Sequence, residues 1–163
     1  MARAIVDPAG GRIAILGAAS PEGAHLKAAL ADRGIPGGRV ALFGLQREIA
    51  VLSEYDGEAR LVQAADELDA AAYAAIFVCE VGHGVADLTR AAASGTLVVD
   101  MTGSIPGAVL KGAPGDSPDA RLVAVPHAVT LLLGSLLAPI QRAIGVTRVS
   151  AFVLRPASDF GEG

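Results

Sequence analysis

The stretch Arg12-Ile13-Ala14-Ile15-Leu16-Gly17-Ala18-Ala19-Ser20-Pro21-Glu22-Gly23 decides the reading of this chain. Four apolar residues predict a buried strand, Ile13 to Leu16, that turns on Gly17 into a helix. Pro21 suits a first helical position, and Gly34 suits the stop of a helix running to about Arg33. A strand that turns on glycine into a helix start is the geometry that cradles a dinucleotide pyrophosphate. Glycine permits the turn, and the first N–H groups of the helix face the anion. The spacing is G-x-x-G-x-x-G with Ser20 in place of the middle glycine. A tight strand–helix turn without a ligand is the other reading of the same residues. Glu22 weighs toward that second reading, because a carboxylate repels phosphate while stabilising the helix N-terminus itself.

Downstream, apolar runs alternate with helical stretches. Strands are predicted at Arg39–Phe43, Ala75–Cys79, Thr96–Asp100, Arg121–Val125 and Thr147–Leu154. Glu48–Leu52 and Ala59–Gln63 flank Tyr55-Asp56-Gly57, which reads as a hairpin turn. Helices are predicted over Gly84–Ser94 and Val129–Ile144, with a short helical connection over Asp66–Ala72 and a surface loop over Ile105–Asp119. The alternation predicts an α/β fold, a Rossmann-like parallel sheet with helices on both faces. Residues 1–11 read as a loose leader, with the alternating strands and helices following from residue 12.

Composition narrows the function classes. A formal net charge of -4 argues against a nucleic-acid or anionic-membrane partner. The lone Cys79 excludes an internal disulfide and fits a reducing, cytoplasmic setting. The most apolar stretch, Ala128 to Ile140, is too short for a membrane span. Leu131, Leu132, Leu133, Leu136, Leu137 and Ile140 cannot all face one core, so the Val129–Ile144 helix should be covered on two sides, by a partner domain or a second copy. Pro139 should kink it.

Other candidate groups are fewer. The end of the second strand, where a ribose would lie, reads Phe43-Gly44-Leu45-Gln46-Arg47. It has no carboxylate, and Arg47 could pair with a 2′-phosphate, which favours NADP. A solvated loop arginine is the plainer reading. Cys79, with Glu80 after it and His83 near it, is either a small buried hydrophobe or a redox thiol. His25, His83 and His127 lack metal-ligand spacing. Asp100 ends a strand and reads as a capping carboxylate.

With these residues in view, the chain resembles the aspartate-semialdehyde dehydrogenase family from about Arg12 to Gly161. The Gly17–Gly23 loop resembles the family's G-A-T-G-x-V-G. Ala93-Ser94-Gly95-Thr96-Leu97-Val98-Val99-Asp100-Met101-Thr102-Gly103 resembles A-A-G-x-x-V-I-D-N-S-S. Val125-Pro126-His127-Ala128-Val129-Thr130 resembles N-P-N-C-[ST]-T, and the proline of Leu137-Ala138-Pro139-Ile140 follows in register. The related N-acetyl-glutamyl-phosphate reductases have a similar nucleotide domain and are the alternative.

The resemblance implies an NAD(P)-binding domain over residues 12–155, followed by a tail, 156–163, leading toward a second domain, with Gly17, Ala19, Ser20, Pro21, Glu22, Gly23, Gly44, Arg47 and Cys79 at the cofactor. It implies a family reaction interconverting aspartyl phosphate and aspartate semialdehyde. It also exposes departures. The family's nucleophilic cysteine falls on Ala128, its active-site glutamine on Arg155, and its S-A-G-G on Val78-Cys79-Glu80-Val81. No catalytic residue is therefore expected in this chain. A non-catalytic scaffold or regulatory paralogue that has lost the cofactor is the competing expectation.

Overall fold

The computed structural model describes residues 10–44, 51–80, 82, 84–110, 119–125 and 128–154. β1 (Ile13–Leu16) is buried along its whole length, and its side chains alternate between two cores. Ile13 and Ile15 point to one face of the sheet, where Leu26, Leu30 and Ala31 of α1 (Pro21–Ala31) pack with Val40, Leu42 and Val62. Ala14 and Leu16 point to the other, where they meet Leu88, Ala91 and Ala92 of α2 (Val85–Ala93). A strand with helices on both faces has no solvent side, which is why its sequence is continuously apolar. Each large aliphatic side chain buried in this way contributes about 1.5–3 kcal/mol.

The remaining strands are β2 (Val40–Gly44), β3 (Leu52–Tyr55), β4 (Glu58–Ala64), β5 (Ala75–Val78), β6 (Leu97–Asp100), β7 (Val109–Leu110) and β8 (Leu122–Ala124). They form one sheet of eight strands in the order β3-β4-β2-β1-β5-β6-β8-β7. All pairs are parallel except β3 with β4. The chain goes from β1 outward to β2 and β4, then returns to lay β5 on the other side of β1. β1 and β5 therefore flank the point where strand order reverses. In open α/β sheets the crevice beyond the carboxyl ends of such a strand pair is where ligands bind.

The expected fold class, with helices on both sheet faces, is the one observed. Several boundaries differ. The hairpin turns at Asp56 (φ 53°) and Gly57 (φ 77°), as expected, but its first strand is Leu52–Tyr55. Residues 48–50 lie outside the described residues. The 66–72 connection is a pair of short 3₁₀ turns, Ala65–Glu67 and Ala70–Ala72. The 105–119 loop contains β7, a two-residue parallel strand at the sheet edge. Thr147–Leu154 forms no strand. Its alternation of apolar residues suits a sheet, but the edge beside β8 is taken by β7. Without a ladder partner its backbone cannot satisfy itself as a strand.

α3 (Ala128–Ile144) runs unbroken through Pro139. None of its described side chains is buried within this chain. Leu132 and Leu136 are more than half exposed. The segment after it folds back only partly, with the Val146 amide donating to Gln141 Oε1 at 2.7 Å and Val149 sharing a shallow groove with Gly134, Leu137 and Ala138. No helix among the described residues is long and apolar enough to cross a membrane.

Candidate nucleotide site at the strand-order reversal

The Gly17–Gly23 loop leaves the carboxyl end of β1 and lies at the reversal point. Gly17 adopts φ +77°, and a Cβ there would stand 2.5 Å from the Cβ of Glu80, so only glycine fits. The Gly17 and Ala18 amides both donate to the Phe43 carbonyl, at 2.9 and 3.1 Å, which pins the loop to the end of β2. Gly23 is the buried residue of α1, and a Cβ on it would strike the Gly17 carbonyl oxygen. The two glycines thus perform the tight turn and the close helix–strand approach that a pyrophosphate loop needs.

Ser20 has a structural role that the comparison with glycine obscured. It is the N-cap of α1, and its Oγ accepts from the Gly23 amide at 3.0 Å. The same hydroxyl lies 2.8 Å from the Gly17 carbonyl and 3.3 Å from the Cys79 carbonyl, and donates toward them. One side chain therefore caps the helix and ties the β1 loop to the end of β5. The signal was present in Ser20-Pro21-Glu22, a capping serine followed by proline at the first helical position. Ala19, Pro21 and Glu22 are exposed at the crest, and the Ala19 and Glu22 amides take no part in the loop's hydrogen bonds.

Cys79 directly follows β5, and its carbonyl faces the Ser20 hydroxyl. Its amide donates to the Leu16 carbonyl at 2.8 Å, and its thiol meets the Met101 thioether at 3.6 Å. It is buried, and burial first, then the Glu22 charge, push the thiol up to about 12. A thiol held protonated is a poor nucleophile at neutral pH. Gly44 ends β2 opposite Ala64 and is buried. Arg47, which would follow it, lies outside the described residues, as do His83, His127 and Arg155.

Asp100 is the capping carboxylate expected. It is fully buried at the end of β6. Oδ1 accepts from the Thr102 amide, the Thr102 hydroxyl and the Gly103 amide at 2.7–3.0 Å, and Oδ2 from the Ile105 amide at 2.8 Å. All of the carboxylate's hydrogen bonds organise its own loop. His25 is exposed on α1, and no metal-binding group of side chains exists among the described residues. Ala128 is the first residue of α3 and carries no nucleophile.

The elements that meet here are the carboxyl ends of β1, β2, β5 and β6. They bring together Gly17, Ala19, Ser20, Pro21, Glu22, Gly23, Gly44 and Cys79, and add Glu80, whose position beside Gly17 was not read from the sequence.

No family model matches the sequence, and no curated protein does. Solved structures do match in fold. An aspartate semialdehyde dehydrogenase II from Vibrio cholerae, complexed with ASA, superposes with a TM-score of 0.64 at 22% identity, over 83% of this chain and 48% of that one. A probable aspartate-semialdehyde dehydrogenase from Pseudomonas aeruginosa gives 0.62 at 23% identity, over 81% and 42%. A further Vibrio cholerae aspartate semialdehyde dehydrogenase II structure gives 0.62 at 21% identity, over 83% and 44%. The chain spans less than half the length of each, and over that span it resembles the aspartate-semialdehyde dehydrogenases in fold.

Proposed function

We propose that the chain is a dinucleotide-binding domain of aspartate-semialdehyde dehydrogenase type that takes NADP weakly and does not turn over substrate by itself. The observation that carries this reading is the position of the Gly17–Gly23 loop at the carboxyl end of β1, where strand order reverses. The residues fit the group. Gly17 and Gly23 leave room for backbone approach, the crest of the loop is open, and Gly44 ends the neighbouring strand. In this reading the loop holds the pyrophosphate, the end of β2 with Arg47 receives the ribose, and Cys79 underlies the far end of the crevice. NADP, when bound, supplies or accepts the hydride of the family reaction.

Catalysis needs more than this chain offers. Ala128 stands where the resemblance places the nucleophile, and loss of a covalent nucleophile costs several orders of magnitude in rate. Residues 12–155 form the nucleotide domain in this proposal, and the uncovered face of α3 meets either a second domain or a second copy. Calorimetric titration with NADP and with NAD tests the reading. Binding near the micromolar range, tighter for NADP, is expected, with no turnover of aspartate semialdehyde in the presence of NADP and phosphate. Absence of heat with either nucleotide overturns it, as does turnover that survives Ala128→Gly at a family enzyme's rate.

A second reading, a scaffold or regulatory paralogue without cofactor, is favoured by one observation. The Ser20 hydroxyl already occupies the Gly23 amide, one of the donors an anion would otherwise use. Absence of nucleotide binding in the same titration would establish that alternative in place of the first.

A further inference from the structure

The Gly17–Gly23 loop has seven residues and, because Pro21 carries no N–H, six amides. Four of them are already committed: Gly17 and Ala18 donate to the Phe43 carbonyl, Ser20 donates to the Gly17 carbonyl, and Gly23 donates to the Ser20 hydroxyl. Among the described residues, the Ala19 and Glu22 amides meet no acceptor. The start of a helix ordinarily offers its leading amides to an anion. α1 offers fewer, and two adjacent residues are the cause. Proline occupies the first helical position and removes one donor, and the Ser20 side chain takes the amide of the third. Ser20 is held in that role from the other side. Its hydroxyl hydrogen is drawn to the Gly17 and Cys79 carbonyls, 2.8 and 3.3 Å away, which leaves the oxygen to face the Gly23 amide as an acceptor. An acceptor in that place competes with a phosphate oxygen for the same N–H.

We infer that Ser20 and Pro21 set this loop's affinity for phosphoryl groups, by leaving only the Ala19 and Glu22 amides to receive one. The inference rests on the proposed nucleotide site and names the donors that hold the ligand there and the residues that limit them. A hydrogen bond from an amide to a charged acceptor is worth about tenfold or more in affinity, so each donor withheld or restored is measurable. Both residues act through backbone donors and not through the shape of the crevice. A ligand without phosphate should therefore not respond to them.

The experiment is calorimetric titration of the full chain with adenosine, ADP and NADP, using the native protein, Ser20→Gly, Ser20→Thr, Pro21→Ala and the double variant Ser20→Gly with Pro21→Ala. Ser20→Gly frees the Gly23 amide, and glycine is tolerated at an N-cap. Pro21→Ala returns the missing donor at an exposed position where alanine suits the helix. Each of these two should bind ADP and NADP about tenfold more tightly than the native protein, with no gain for adenosine. Ser20→Thr keeps the hydroxyl and should bind as the native protein does. Amide NMR during the NADP titration supplies a second readout. The Ala19 and Glu22 amides should shift in the native protein while Gly23 stays still, and Gly23 should join them in Ser20→Gly. Unchanged affinity in every variant overturns the inference and leaves the nucleotide reading standing. Weaker binding by Ser20→Gly also overturns it, since the hydroxyl would then be a donor to the ligand, as does an equal gain for adenosine. If the native protein binds no nucleotide and the double variant does, the nucleotide reading of this chain fails and the inference holds. If none of the variants binds, both fail.

Discussion

At the scale of single residues, the switch-point loops are held by short polar contacts rather than by apolar bulk. The capping signal of Ser20 was present in Ser20-Pro21-Glu22, but its ties to the Gly17 and Cys79 carbonyls were not legible, because sequence spacing alone does not show which carbonyls a hydroxyl will find. Asp100 was legible as a capping carboxylate, because an aspartate followed by Met101-Thr102-Gly103 suits an Asx-type turn. Cys79 left two readings open in sequence, and its burial favours the small buried hydrophobe. Its thiol, ordinarily near 9, is raised to about 12 in the folded chain. Between those values the unfolded chain releases the proton and the folded chain keeps it. Stability is therefore fully present below about pH 9 and falls as pH rises, by up to about 1.4 kcal/mol per pH unit for one proton. Tyr55, whose hydroxyl donates to the Ile35 carbonyl at 2.7 Å and is also raised by burial, adds a loss of the same sign at higher pH. Denaturant unfolding from pH 8 to pH 11 should show this decline, and Cys79→Ala should make it shallower. An equally steep decline in the variant would mean that the thiol is not the group responsible.

Elements were read well where local chemistry and tertiary demand agree. β1, its loop and α1 were legible because a buried strand, a left-handed glycine and a helix cap each leave a local signature. The β3–β4 hairpin was legible from Asp56-Gly57, both with positive φ. Elements that depend on a distant partner were not. β7 is two residues long and exists only because β8 offers it a ladder. Thr147–Leu154 has the right alternation and no ladder. The hairpin allows an element-scale test. Gly57→Ala places a Cβ at φ +77° with nothing within 4 Å to clash, so its cost is purely conformational, about 1 kcal/mol. Asp56→Asn should be tolerated, because asparagine accepts the left-handed region. Equilibrium unfolding of the two variants checks the order. A Gly57→Ala protein as stable as the parent would show that the turn relaxes at no cost.

At the scale of the whole molecule, the sheet is self-sufficient and α3 is not. The central strands are sealed between α1 on one face and α2 on the other. α3 instead leaves Leu131, Leu132, Leu136, Ile140 and Ile144 at least 40% exposed, and beyond it Phe152 and Leu154 stand almost wholly in solvent. Sequence alone showed that this helix has too many apolar residues for one core, and the described residues supply no second one. An apolar surface of this extent promotes association in water, since burial of each large side chain contributes free energy without a matching polar loss. The chain by itself is therefore expected to self-associate. Sedimentation across a range of concentrations should give a mass that rises above the 16.3 kDa of one chain. Leu132→Glu with Leu136→Glu should return it to one chain, because both side chains are exposed and their replacement removes apolar surface without opening the core. Circular dichroism of that double variant should match the parent, which separates loss of association from loss of fold. A parent protein that sediments as a single chain at every concentration would show that this face is covered within the molecule, by residues of its own chain.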